Sequence, residues 1–198
     1  GAKSAFVRQL SLSVADFAVV NTGTFQVIEI PDAANVFEHG YPYLPAAGAV
    51  LKLPADATSI VCRVVSSNTS DLGVINIPFC RASPTIDPSP AFTTNFTGLV
   101  GVYPVENATV VVQPIDDHIQ AAVFLTPVRH ELASQQTTLW TAMVVEVEYT
   151  SDQPLFVADV SPSRTEYHPG DAGHILADVQ NAGSATLSGL QAFADIED

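Results

Sequence analysis

The amino-acid sequence predicts an all-β protein folded as an antiparallel β-sandwich. Segments rich in valine, isoleucine, threonine and aromatic residues recur along the 198-residue chain, and each ends in glycine, proline, asparagine, aspartate or serine. Their spacing of about 8 to 15 residues is typical of antiparallel sandwiches and barrels rather than of alternating strands and helices. Helix signals are nearly absent, because the one segment of mild helical character, ELASQQT, is too short to change the class.

The strand-like segments follow one another from the N-terminal region to the C-terminal region. Alternation is clearest in MVVEVEY, where Val145, Val147 and Tyr149 are predicted to face one way and the two glutamates between them the other. The other segments are assigned by their β-branched and aromatic content and by the turn residues that bound them. The predicted strands cover residues 10–20, 24–30, 49–54, 59–65, 73–79, 108–115, 120–128, 138–150, 155–162 and 174–181.

Three prolines punctuate the segment EHGYPYLPAAGAVLKLPADAT (38–58). Proline supplies no N–H group to a β-ladder, so it is disfavoured at the centre of a sheet. Pro42 and Pro45 are predicted to hold an extended approach to the strand AVLKL, and Pro54 is predicted to stop it before the polar turn ADAT. We interpret the segment as a strand with rigid ends, not as a linker.

The composition excludes several classes of protein. Hydrophobic residues make up 47% of the chain, which is too many for a disordered protein. With 21 acidic and 7 basic residues the net charge is −14, and so acidic a surface repels phosphate. We therefore expect no nucleic acid as a partner. No apolar stretch reaches the roughly 18 residues of a membrane-spanning helix, and we expect no membrane insertion.

Several weaker features predict export, with the protein secreted or held at the cell surface. The chain is rich in serine and threonine and contains 14 prolines. Its N-x-S/T sequons make Asn68, Asn95 and Asn107 candidate glycosylation sites, provided that the host glycosylates.

The two cysteines, Cys62 and Cys80, lie in the predicted strands SIVCRVV and INIPFC on either side of the polar turn SSNTSD. A hairpin about that turn could bring them face to face, and export would then favour a disulfide. The alternative is a pair of buried free thiols that pack as small hydrophobic groups, and the sequence leaves both open. Neither cysteine has the glycine-rich or helix-start environment that activates a thiolate. We therefore expect no cysteine–histidine nucleophile, and the chain is not expected to be an enzyme.

One group of acidic and histidine residues could bind a metal. It consists of Asp116, Asp117, His118, His130 and Glu131. Zinc needs three or four converging ligands, and no tight cysteine–histidine spacing supports such a site. A calcium loop arranges oxygen ligands around a glycine, which is missing here. We interpret these residues as solvated turn residues, and we expect no metal and no cofactor.

Aromatic residues could also form a binding platform for a sugar. The candidates are Tyr41, Tyr43 and Trp140. Because aromatic residues more often pack in the core or at its rim, we interpret them as packing residues.

Two breaks in the pattern organise the chain. The segment ASPTIDPSPAFTTNF, from residue 82, lacks periodicity and contains three prolines, and a loop of that length in a compact domain is usually functional or mobile. A second composition shift falls at SDQP (151–154), after which the strand pattern restarts. We predict one domain over residues 1–152 and a second unit over residues 153–198.

A series of proline-bounded elements connects these features. In chain order the elements are GYPYLP (40–45), LKLPADAT (51–58), VCRVV (61–65), INIP (75–78), VYPVENAT (102–109), TPVRHE (126–131) and TLWTAMVVEVEY (138–149). The ordered series resembles the N-terminal propeptide of gingipain-type cysteine peptidases, over about residues 25–150. Several short elements in the right order are more specific than any one of them alone.

The resemblance implies a non-catalytic prodomain of an exported peptidase, whose cognate peptidase domain is its partner in cis. Such a prodomain gives latency and folding assistance, and it occludes the active site with the loop that follows the I-x-P element. The matching loop here is 79–97, and its candidate inhibitory residues are Arg81, Ser83, Thr85 and Asp87. Arg81 is the loop's only basic residue and adjoins the strand end. Either another residue occupies the cleft, or the peptidase prefers another side chain, or inhibition is not this module's role.

The C-terminal segment has a resemblance of its own. Residues 162–184 (PSRTEYHPGDAGHILADVQNAGS) resemble the start of an Ig-like domain of the cell-adhesion-related type, with turns at Pro169-Gly170 and at residues 181–183. Because an Ig-like sandwich takes about 100 residues, this is either a partial module or a set of strands that completes the first domain. The alternative function it suggests is a structural or adhesive β module of a cell-surface protein.

Overall fold

The computed structural model describes residues 3–81, 91–94, 98–152, 155–162 and 175–181, and the described chain is all-β. Its strands, in chain order, are β1 (Ser4–Ser13), β2 (Ala18–Asn21), β3 (Gln26–Glu29), β4 (Ala34–Asn35), β5 (Pro45–Pro54), β6 (Thr58–Val74), β7 (Phe79–Arg81), β8 (Ala91–Thr93), β9 (Val102–Tyr103), β10 (Ala108–Ile115), β11 (His118–Leu125), β12 (Val128–Glu131), β13 (Gln136–Ser151), β14 (Leu155–Pro162) and β15 (Ile175–Asn181). No helix in these ranges is long and apolar enough to cross a bilayer.

Strand β13 is the centre of the larger sheet. Strand β6 pairs with it along nearly its whole length on one edge, while β1 and β12 share the other edge and β9 pairs with β12. Val145, Val147 and Tyr149 of β13 are buried, whereas Glu146 and Glu148 between them are only partly buried. The predicted alternation along this strand is confirmed.

The smaller sheet packs against the larger one and closes the sandwich. It has the antiparallel order β10–β11–β5–β4. The buried side chains that meet between the sheets are Ala108, Val123 and Leu125 from the smaller sheet and Met143, Val145 and Val147 from the larger. The all-β sandwich predicted from the sequence is confirmed.

Two further core clusters extend the sandwich along β13. One end contains Leu139 together with Leu44, Ile77 and Val128, and the other contains Tyr149 together with Phe6 and Leu53. Ten residues of strand separate Leu139 from Tyr149, which is about 33 Å at the usual rise of a strand. The sandwich therefore has a Leu139 end and a Tyr149 end, and the distinction matters for the site below.

Proline ends the strand AVLKL at Pro54 as predicted, whereas the strand begins four residues before the predicted Ala49, so Pro45 belongs to the strand and not to an approach before it. Strand β5 begins at Pro45 and ends at Pro54, and it pairs with β11 from Ala47 to Pro54. Pro42, just before it, forms a separate bridge with Phe79. The prolines thus sit where the ladder begins or ends.

The structure corrects the prediction between residues 65 and 79. SSNTSD was predicted to be a turn, but it lies within β6, which continues unbroken from Thr58 to Val74. The reason is tertiary: β13 extends to Gln136 and supplies backbone partners for this polar stretch, whose side chains stay at the surface. Residues 75–78 were predicted to be strand but are irregular, and the first predicted strand is divided into β1 and β2.

The end of β13 is held by Asp56. The Asp56 carboxylate accepts hydrogen bonds from the Ser151 hydroxyl at 2.6 Å and from the Asp152 backbone N–H at 2.8 Å. Burial opposes ionisation of Asp56, but these hydrogen bonds outweigh it and lower its pKa to about 2. Beyond this point β14 and β15 pair antiparallel, close to the strands predicted there. The boundary at 152 and the Ig-like character of the last strands stay predictions.

Candidate functional site

The candidate site is a short hairpin at the start of the predicted inhibitory loop. Strands β7 and β8 pair antiparallel, with Phe79 opposite Thr93, Cys80 opposite Phe92 and Arg81 opposite Ala91. Of the candidate inhibitory residues, Arg81 is exposed at the last position of β7. Ser83, Thr85 and Asp87 lie outside the described residues.

Backbone hydrogen bonds attach this hairpin to the segment GYPYLP. The Gly40 N–H donates to the Cys80 carbonyl at 2.8 Å, the Cys80 N–H donates to the Tyr41 carbonyl at 2.9 Å, and the Tyr43 N–H donates to the Pro78 carbonyl at 2.9 Å. Gly40 has a φ of 89°, a conformation that favours glycine. GYPYLP, one of the elements of the family resemblance, is therefore hydrogen-bonded directly to the backbone of this hairpin.

Aromatic side chains fix the other strand of the hairpin. The Phe92 ring lies 5.1 Å from the Tyr43 ring, 6.3 Å from Phe25 and 6.4 Å from Phe37, measured between centroids. These distances are within the range of favourable ring contacts, and tilted or edge-on geometries are the preferred ones. We call these four residues the aromatic cluster. Phe25, Phe37 and Phe92 were not identified from the sequence, although an aromatic residue within the proline-rich segment was a usable signal.

The two cysteines are free thiols, which decides between the alternatives left open above. Cys62 lies on β6 opposite Val147 and packs against the residues buried between the two sheets, which we call the central core cluster (Ala108, Val123, Leu125, Met143, Val145 and Val147). Cys80 is buried on β7, and its thiol donates to the Val36 carbonyl at 3.8 Å. The proposed disulfide is absent because β6 continues through the predicted turn, so no hairpin brings the two together. Burial raises the pKa of both thiols.

A cavity of about 340 Å³ lies beside the hairpin, with Phe79 and Thr94 on one side and the buried His130 on the other. His130 Nδ1 is 2.9 Å from Thr137 Oγ1, and that hydroxyl donates to the Gln135 carbonyl at 3.1 Å. Because the hydroxyl proton is engaged there, the histidine must donate through Nδ1–H, and this fixes the tautomer of the neutral ring. Burial lowers the pKa of His130, while the nearby Glu131 carboxylate opposes that effect.

We expect His130 to make the fold less stable in mild acid. The pKa of His130 is lowered in the folded state, so below about pH 6.5 the unfolded chain binds a proton more readily than the folded chain. The free energy of unfolding therefore decreases as the pH is lowered. The contribution of one such group is at most about 1.4 kcal/mol per pH unit. Denaturant unfolding at several pH values between 5 and 8 measures it. His130→Gln, which keeps a donor toward Thr137, should show a flatter profile, and an unchanged profile would contradict this assignment.

The other candidates from the sequence are not brought together as a site. Asp117 and His118 lie at the turn between β10 and β11, where His118 Nδ1 is 3.0 Å from Asp117 Oδ1, whereas His130 belongs to the other sheet. Within the described ranges no three histidine, cysteine, aspartate or glutamate side chains are grouped as metal ligands. Tyr41 packs on Tyr103 with ring centroids 5.2 Å apart, whereas Trp140 packs against the central core cluster between the two sheets.

The candidate glycosylation sites differ in their surroundings. Asn68 is exposed on β6. Asn107 is buried, and its amide nitrogen donates to the Thr126 carbonyl at 2.7 Å, so the folded chain does not present it to a glycan. Asn95 lies outside the described residues.

Two solved structures share this fold. One is the complex of the Porphyromonas gingivalis RgpB pro- and mature domains, with a TM-score of 0.57 and 20% sequence identity over 74% of this chain and 79% of that chain. The other concerns zymogenic latency of gingipain K from the same organism, with a TM-score of 0.53 and 19% identity over 75% of this chain and 92% of that chain. No family model and no curated protein matches the sequence. The chain has the fold of a gingipain-type propeptide, as its sequence elements indicated.

Proposed function

We propose that this chain is the non-catalytic prodomain of an exported gingipain-like cysteine peptidase. Its partner is the peptidase domain of the same polypeptide, whose active site it occludes and whose folding it assists. The observation that carries the proposal is the shared fold with a complex of pro- and mature domains and with a gingipain solved in the context of latency. The ordered proline-bounded elements of the sequence support it independently.

The geometry of the hairpin supports a steric mechanism. Arg81 and Ala91, the described residues on either side of positions 82–90, are direct neighbours in the ladder. The base below them is held by the hydrogen bonds to residues 40–43 and by the aromatic cluster. A contacting segment with a fixed base loses less conformational entropy on binding than a free one. The 79–97 loop, with Arg81, Ser83, Thr85 and Asp87, is thus the segment that enters the cleft.

The chemistry of the described cysteines agrees with a non-catalytic role. Burial raises the pKa of the Cys62 and Cys80 thiols, so both are protonated at neutral pH and are poor nucleophiles. The buried His130 is engaged with Thr137 rather than with a thiol. Cys62 packs in the core between the sheets, Cys80 and His130 lie near the hairpin, and the reacting groups belong to the partner domain.

The test begins with the complete reading frame that encodes this chain. The peptidase domain that it encodes is expressed alone, and its activity on a small peptide substrate is titrated with the purified chain. We expect inhibition that saturates, and a lower yield of active peptidase when it refolds without the chain. Unchanged activity at saturating chain would refute the inhibitory role. A frame with repeated Ig-like modules and a surface anchor but no peptidase domain would instead support the structural or adhesive alternative.

A further inference from the structure

An exposed apolar patch adjoins the base of the hairpin. Val36 and Phe37 follow β4 directly, and their side chains are 46% and 44% exposed. The Phe37 ring contacts Phe92 of the hairpin with centroids 6.4 Å apart, and the residue stays 44% exposed. We call Val36, Phe37 and Phe92 the collar. The chain has a net charge of −14, so an apolar patch stands out from its acidic surface. Exposed apolar patches of this kind often mark binding sites.

The backbone beneath the collar is fixed, although Val36 and Phe37 are exposed. The Val36 N–H donates to the Leu44 carbonyl at 2.9 Å, and the Val36 carbonyl accepts the Cys80 thiol at 3.8 Å. The end core cluster around Ile28, Ile77 and Leu139 is complete without Val36 and Phe37. The core therefore does not need these two apolar side chains. Because their backbone is fixed, the patch loses little conformational entropy on binding.

We propose that the collar is a docking surface for the rim of the peptidase cleft, so that the prodomain binds through an apolar anchor beside its inhibitory loop. This inference rests on the proposed function and extends it. The collar is continuous with the hairpin, because Phe92 belongs to β8 and Val36 contacts β7. Aromatic residues at the centre of an interface contribute a large share of the binding energy.

The charge beside the collar specifies the chemistry of the partner surface. Glu38 follows Phe37 directly and is exposed, and the whole chain is strongly acidic. An acidic group at the edge of an apolar patch is complementary to a pocket with a basic rim. The collar should therefore bind an apolar pocket of the peptidase domain that carries arginine or lysine at its edge.

The experiment measures binding and inhibition separately. Isothermal titration calorimetry gives the dissociation constant for the peptidase domain carrying an alanine in place of its nucleophile, and the active domain gives the inhibition constant. We expect Phe37→Ser to raise the dissociation constant about 10- to 30-fold, the scale of an interface anchor, with a smaller rise for Val36→Ser. Both residues are nearly half exposed, so the melting temperature should fall much less than for a core substitution, even though Phe37→Ser also removes the contact with Phe92.

The matched control is Val61→Ser. Val61 is 51% exposed and pairs with Glu148, so it lies at the Tyr149 end of the sandwich, far from the hairpin. Its dissociation constant should stay within about twofold of the unmodified chain, as expected for a surface position outside an interface. If Phe37→Ser and Val36→Ser bind like Val61→Ser, or if Phe37→Ser alters only self-association in light scattering, the collar proposal is wrong.

The two proposals fail in different ways. If the unmodified chain binds the peptidase domain without inhibiting it, and Phe37→Ser weakens that binding, the collar stands and the inhibitory function falls. If the chain inhibits and Phe37→Ser inhibits equally well, the function stands and the collar falls. If the chain does not bind the peptidase domain at all, both are overturned.

Discussion

Replacing residues 82–90 by the dipeptide Asn-Gly is expected to abolish inhibition while leaving the fold intact. Arg81 and Ala91 face each other at the end of the β7–β8 ladder, so a two-residue turn can join them without moving either strand. Asn-Gly is the preferred sequence for such a turn because both of its residues accept positive φ. The segment proposed to enter the cleft is then gone, and we expect the inhibition constant to rise by at least about 100-fold, the loss expected when the centre of an interface is removed.

The control for this variant keeps the length of the segment and changes its chemistry. A variant with nine glycine and serine residues in place of residues 82–90 should also lose inhibition if specific side chains fill the cleft. If the segment blocks the cleft only by its size, this variant should keep part of the inhibition. Arg81→Ala then reports whether the basic side chain at the strand end contributes. Melting curves should superimpose for all three variants. Full inhibition by the Asn-Gly variant would show that another part of the chain occludes the peptidase.

The strands that the sequence predicted best are those whose signal is local. The segment ATVVVQPI coincides with β10, and MVVEVEY shows the burial predicted for β13, because alternation and turn residues act over a few neighbours. Pro45 and Pro54 mark the ends of β5 for the same reason, since a proline affects the ladder where it stands. These features predicted the fold class before any pairing was known.

The features that the sequence did not predict depend on partners distant in the chain. The polar half of β6 is a strand only because β13 lies beside it, and nothing within SSNTSD indicates this. The same error produced the proposed disulfide, since a turn there would have brought Cys62 and Cys80 together. For the site, the resemblance pointed to the loop 79–97 and to Arg81, and their role in the cleft stays a proposal. The ring contacts of Phe92 join residues 25, 37 and 43, which only the folded chain brings together.

The largest expected loss of stability among single substitutions is tested on β5, where two positions on opposite faces can be compared. Leu53 is 0% exposed in the cluster at the Tyr149 end, and Val50 is 60% exposed on the outer face of the same strand. Both residues pair with β11 in a regular ladder. Successive side chains of a strand point to opposite faces, so residues 50 and 53, three positions apart, lie on opposite faces of the sheet. The two positions share backbone surroundings and differ in burial.

We expect Leu53→Ala to lower the free energy of unfolding by about 2–5 kcal/mol, because it removes apolar contacts and leaves a cavity between the sheets. Val50→Ala should cost less than about 1 kcal/mol, because only strand propensity and partial contacts are lost. Urea unfolding followed by tryptophan fluorescence measures both, since the chain has one tryptophan, Trp140, packed against the central core cluster. Equal costs would mean that β5 does not present Leu53 to the core, and the packing of the two sheets would have to be revised. A large difference would show that β5 is one wall of the sandwich, with Leu53 on its inner face.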